Sequence, residues 1–156
     1  MSKPGALPVS RRALLAGGAG AALTALLPKI GSAAQTPAPS FRTIPSSGAQ
    51  IPAIGLGSWV TFNVGDSPVL RAHCAEVMEA FFKAGGQMID SSPMYGSAQS
   101  VIGDGLRTLG RTDTVFSADK VWISDTDDGP DQIAESRALW QVPKFDLLQV
   151  HNLVGW

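Results

Sequence analysis

Apolar residues recur along the chain in two alternating rhythms. Short runs, Ile54-Gly55-Leu56-Gly57-Ser58, Gln87-Met88-Ile89-Asp90, Val115 to Lys120 and Phe145 to His151, have the length and composition of buried strands. Between them, apolar positions repeat at three- and four-residue steps. Leu70, Cys74, Val77, Phe81 and Ala84 mark the first such helix. It opens at Ser67-Pro68, a serine N-cap with proline in the first helical position, and closes at Gly85-Gly86. A second helix begins near Ser97, carries Ile102, Leu106 and Leu109 on one face and stops at Gly110. A third follows the polar loop Ser124 to Gly129 and runs from Pro130 through about Trp140. Ahead of the first run, Phe41 to Ile44 and Gln50 to Ala53 flank a Pro-Ser-Ser-Gly turn and predict a small hairpin with Gly48 at its turn.

Four strands alternating with three helices give the order β-α-β-α-β-α-β, the repeat of a parallel βα array. Parallel strands are covered on both faces or closed into a barrel. A closed (β/α)8 barrel takes about 250 residues, and this chain has 156. The expectation is therefore an α/β partial barrel of about four βα units, the N-terminal half of a larger protein.

The strand ends carry the chemistry. Asp90, Lys120 and His151 follow one another about thirty positions apart, each at the end of an apolar run. One strand plus one crossover helix is about thirty residues long, so an acid, an amine and an imidazole converge on the carboxyl edge of the sheet, where such barrels keep their active sites. Tyr95 lies five residues after Asp90 and joins them. Singly, each has a plainer reading: Asp90 as a loop cap, Tyr95 as a turn aromatic, Lys120 as a solvated strand end, His151 as a satisfied polar residue. Together, four such types at strand ends point to a catalytic site. Trp59 and Trp122 fall after the first and third strands and read either as pocket walls or as core.

The first 34 residues follow a different pattern. Lys3, Arg11 and Arg12 precede a charge-free stretch from Ala13 to Leu27, and Gly31-Ser32-Ala33-Ala34 supplies small residues for cleavage. Ser10-Arg11-Arg12-Ala13-Leu14-Leu15 is similar to a twin-arginine export signal. An ordinary secretory signal and an uncleaved anchor are the alternatives. The expected organisation is a signal over 1–34, a flexible lead over 35–40 and the barrel segment over 41–156. The twin-arginine machinery is the expected export partner and the periplasm the expected destination, with the cytoplasm if the signal is not used. No stable membrane anchor is expected after cleavage, since the apolar stretch is shorter than the roughly 20 residues of a spanning helix.

A net charge of −1 and a pI near 6.0 argue against a nucleic-acid-binding face. Cys74 is the single cysteine, so no internal disulfide forms, and its helical position predicts a buried thiol. No Cys/His cluster with metal-ligand spacing occurs, and no Gly-x-Gly-x-x-Gly fingerprint of a Rossmann domain.

Four segments, taken in order, resemble the aldo-keto reductases. They are Phe41 to Trp59, Gly86-Gln-Met-Ile-Asp-Ser-Ser-Pro-Met-Tyr-Gly-Ser, Ser117-Ala-Asp-Lys120-Val-Trp122 and Leu148-Gln-Val-His151-Asn152. The resemblance implies a TIM barrel that reduces aldehydes and ketones to alcohols with NADPH, or with NADH. Carried over, the catalytic group falls on Asp90, Tyr95, Lys120 and His151. Gly57, Ser58 and Asp90 fall at the cofactor, and Trp59, Trp122, His151 and Asn152 line the carbonyl pocket. The chemistry is self-consistent. Hydride addition to a carbonyl creates an alkoxide that needs a proton. Free tyrosine holds its proton up to about pH 10, and a nearby ammonium makes that proton easier to give up. Asp90 would keep Lys120 charged and positioned, and His151, as neutral imidazole, would orient the carbonyl. The segments that grip the rest of the cofactor fall in the family's second half. The chain alone is therefore expected to be inactive, and a non-catalytic binding or accessory protein, or an inactive remnant, is the alternative.

Overall fold

A computed structural model describes residues 39–152 of the chain. The expected signal, most of the lead that follows it and the final four residues lie outside the described residues. A two-stranded antiparallel hairpin comes first, β1 (Phe41–Thr43) with β2 (Gln50–Pro52), in the register Phe41↔Pro52. Gly48 turns it at φ +72°, a conformation open to glycine at little cost. The hairpin matches its sequence pattern.

Four parallel strands follow: β3 (Leu56–Gly57), β4 (Met88–Asp90), β5 (Phe116–Val121) and β6 (Leu147–Val150). Helices α1 (Pro68–Lys83), α2 (Ala98–Leu109) and α3 (Gly129–Trp140) connect them. The sheet order β3-β4-β5-β6 is also the chain order. Each step is one strand and one crossover helix, with no reversal, which is the arrangement of a βα barrel rather than a doubly wound sheet.

The helix ends obey local chemistry. Ser67 caps α1 by accepting the Leu70 N–H, with Pro68 in the first turn. Gly110 ends α2 in the left-handed conformation. Core packing runs along the helix faces: Met78 of α1, Val101, Ile102 and Leu106 of α2, Ile89 of β4 and Trp140 of α3 are fully buried. Trp140 meets Phe145 edge-on, with ring centroids 5.7 Å apart. Gly103 of α2 lies against the Leu139 carbonyl of α3, so close that a Cβ would collide with backbone. Arg71 ties α1 to α2 through Asp104 (2.6 Å) and Ser100 (3.1 Å).

Two expectations change. The first strand is shorter than the apolar run 54–58, because β3 pairs only at Leu56↔Ile89 and Gly57↔Asp90. Ile54 is 74% exposed. The buried line of α1 also differs from the expected stripe. Cys74 is buried as expected, together with Met78, but Leu70 and Val77 stay exposed. The helix turns Met78 toward α2, where its side chain packs directly on Gly105. Leu70 and Val77 face the β3 side instead and line an apolar recess with Leu56, Phe62 and Val64. That side is the sheet edge, so no further element of the described residues covers it.

Candidate active site

The carboxyl ends of β4, β5 and β6 stand side by side, with Asp90 paired to Ala118 and Lys120 to Gln149. Because parallel register keeps successive strand ends level, residues about thirty apart in sequence become neighbours. Lys120 Nζ donates to Asp90 Oδ1 (2.7 Å), Asp90 Oδ2 (2.6 Å) and the Ser91 carbonyl (2.9 Å). An ammonium has three donors, and the end of β4 takes all three. The Lys120 side chain is only 12% exposed, so it is charge-paired and fully hydrogen-bonded, as a nearly buried ammonium must be.

Tyr95 comes from the 3₁₀ turn Pro93–Tyr95 that follows β4. Ser92 caps this turn, its Oγ accepting the Met94 N–H at 3.2 Å, and Pro93 fills the next position. Gly96 continues at φ +61° beside Asn63, whose Oδ1 accepts the Ser97 N–H at 3.0 Å. The turn brings the Tyr95 ring under the Lys120 ammonium, 5.4 Å from its centroid. His151 meets the same ring edge-on, with centroids 5.6 Å apart and planes at 85°. The His151 backbone is fixed by its N–H to the Val121 carbonyl at 2.9 Å. Asp90, Tyr95, Lys120 and His151 thus form one contiguous cluster.

The remaining predicted residues divide. Trp59 (67% exposed) and Trp122 (45% exposed) are not core, so the packing alternative for them is set aside. Trp122 is held from behind: its N–H and carbonyl both bond the Gln132 amide of α3, at 2.6 and 2.7 Å. Gly57 is exposed at the end of β3, and a Cβ there would meet nothing within 4 Å. Ser58 differs. It is fully buried, and both its N–H (3.1 Å) and its hydroxyl (2.8 Å) donate to the Asp90 carbonyl. Its side chain anchors the end of β4 to β3. Asn152 is exposed, at φ +55°, with its amide 3.8 Å from Met94 Sδ.

Beneath the cluster lies a group that sequence reasoning missed. Asp119 points to the opposite face of β5 from Lys120, as the strand period of two requires. It is fully buried against α2 and α3. One carboxylate oxygen accepts the Lys120 N–H (2.8 Å) and the other the Gln99 amide (2.7 Å), which also donates to Ser136 Oγ (2.9 Å). β4 leaves the sheet after Asp90, and the Asp119 carboxylate satisfies the backbone N–H of Lys120 beyond that point. Burial pushes the Asp119 carboxyl up to about 6, against the opposing pull of these hydrogen bonds and of the Lys120 charge.

Between about pH 4 and pH 6 the folded chain holds a proton on Asp119 that the unfolded chain has lost, so the contribution of Asp119 to stability falls as pH rises through this window and does not change above it. The amplitude is on the order of 2–3 kcal/mol. Asp119→Asn, with Gln99 turned over to accept from the new amide, is expected to flatten this slope in urea denaturation across pH 4–7. An unchanged slope would assign it to another group.

The family description "aldo/keto reductase family" matches residues 53–156. No curated protein matches the chain. Among solved structures, a thermostable aldo-keto reductase in complex with the inhibitor epalrestat superposes with a TM-score of 0.63 at 24% identity, over 72% of this chain and 42% of that one. An aldo/keto reductase from Klebsiella pneumoniae in complex with NADP and acetate gives 0.56 at 28% identity, over 67% and 36%. An aldo-keto reductase from Klebsiella pneumoniae in complex with NADPH gives 0.59 at 25% identity, over 72% and 39%. The neighbours are TIM barrels, and the four-stranded parallel sheet is part of one. The chain spans 36% to 42% of the length of these three structures.

Proposed function

The chain belongs to the aldo/keto reductase family, and on that premise we propose that it carries the proton-transfer half of an NADPH-dependent reduction of aldehydes and ketones to alcohols. The observation that supports this most is the Lys120 ammonium, saturated by Asp90 and Ser91 and lying over Tyr95, with His151 against the same ring.

Gly57 is open to a close approach and Asp90 stands beside it in register, so the residues present fit the nicotinamide end of the cofactor. Bound there, NADPH supplies the hydride. The chain's own residues do the rest. Tyr95 gives its hydroxyl proton to the oxygen that becomes alkoxide. Lys120 stabilises the phenolate left behind, and Asp90 fixes Lys120 so that no side-chain reorganisation accompanies the transfer. His151 donates a hydrogen bond to the carbonyl oxygen and sets its direction toward Tyr95. Trp59 and Trp122, exposed after β3 and β5, offer aromatic walls for the apolar part of a substrate.

The test is consumption of NADPH by the full-length gene product with a panel of aldehydes and ketones. Carbonyl-dependent oxidation with the matching alcohol as product is expected. Absence of oxidation with every carbonyl, from folded protein that binds NADPH, would overturn the proposal.

A further inference from the structure

Ser92 Oγ lies 2.7 Å from His151 Nδ1, across 59 positions of sequence. The contact joins the turn after β4 to the end of β6, and Ser92 is fully buried. A hydroxyl has one donor and two acceptor positions. Ser92 Oγ already accepts the Met94 N–H. Were His151 Nδ1 to carry a proton and donate it to the same oxygen, both acceptor positions would be filled. The serine O–H would then be buried with no acceptor among the described residues, which costs about 1–3 kcal/mol. With the proton on Nε2 instead, Ser92 donates to the bare Nδ1 and every group is satisfied.

We propose that Ser92 is a positioning residue that locks His151 in the Nε2–H tautomer. It thereby presents an N–H, rather than a lone pair, from the ring edge opposite Nδ1. The same oxygen that caps the Tyr95 turn sets the proton on His151, so one side chain aligns two groups of the cluster. The catalytic consequence rests on the carbonyl-reduction reading, in which that Nε2–H is the donor to the substrate oxygen. The tautomer itself does not depend on it.

The chain has two histidines, and the second, His73, is exposed on α1, so long-range ¹H–¹⁵N correlation spectra of the 156-residue chain resolve the question directly. In mildly alkaline solution, His151 is expected to show a bare Nδ1 and a protonated Nε2, while His73 shows the averaged pattern of exchanging tautomers. Ser92→Ala is expected to move His151 to the averaged pattern, and Ser92→Thr, which keeps the hydroxyl, to retain the single tautomer. An averaged pattern or an Nδ1–H tautomer at His151 in the unaltered chain would overturn the proposal, as would a single Nε2–H tautomer surviving in Ser92→Ala. Because this readout needs no turnover, a full-length product inactive toward carbonyls would sink the reaction without touching the tautomer, and the reverse holds equally.

Discussion

Tyr95→Phe in the full-length product is expected to lower the carbonyl-reduction rate by about 10²–10⁴-fold, the usual contribution of a positioned general acid. Affinity for NADPH should stay unchanged. The substitution removes one oxygen and nothing else from the packing: the ring still lies under Lys120 and still meets His151 edge-on. A loss in kcat with cofactor binding intact is therefore the signature of a missing proton donor rather than of a collapsed site. Steady-state rates and NADPH titration on the same preparation check it. Turnover at the unaltered rate would remove Tyr95 from the role of acid and return the question to His151.

Asp90→Ala acts on both stability and reaction. It strips two of the three acceptors from an ammonium that is nearly buried, and a cation left without its counter-charge costs far more than the pair itself contributed. Asp90 keeps some solvent contact, which places the expected loss at the lower end of the range for broken buried pairs, about 3 kcal/mol. Urea denaturation of the chain measures it. The double variant Asp90→Ala with Lys120→Met should recover much of that stability, because no unpaired charge remains, and should still be inactive in the full-length product. Single and double variants equally destabilised would mean that Asp90 acts through β4 packing and not through Lys120.

The four-residue cluster was legible because two simple periods act together. A strand and its crossover helix take about thirty residues, and parallel register holds successive strand ends level, so Asp90, Lys120 and His151 meet wherever the helices between them are of ordinary length. Helix ends were equally legible at Ser67-Pro68 and Gly110, where backbone groups are satisfied by residues next to them in sequence. The stripe on α1 was less so. Periodicity finds an apolar face but not which part of it meets a neighbour, and Leu70 and Val77 face a sheet edge while Met78 meets α2.

What the sequence by itself determined is the order of elements, the βα repeat and the identity of the groups at the strand ends, since each of these depends on residues near one another in the chain. Only the tertiary structure decided the partners. Ser92 had no role in the sequence reading; it caps the Tyr95 turn, and that it also reaches His151 follows from β6 arriving beside the turn after β4. Asp119 reads as one more polar residue at a strand end. Its burial against Gln99 and Ser136, and the raised carboxyl that results, exist because α2 and α3 pack over that face of β5. Hydrogen bonds between residues distant in sequence carry no local pattern, so such pairs become visible only once the chain has folded and water has been excluded around them.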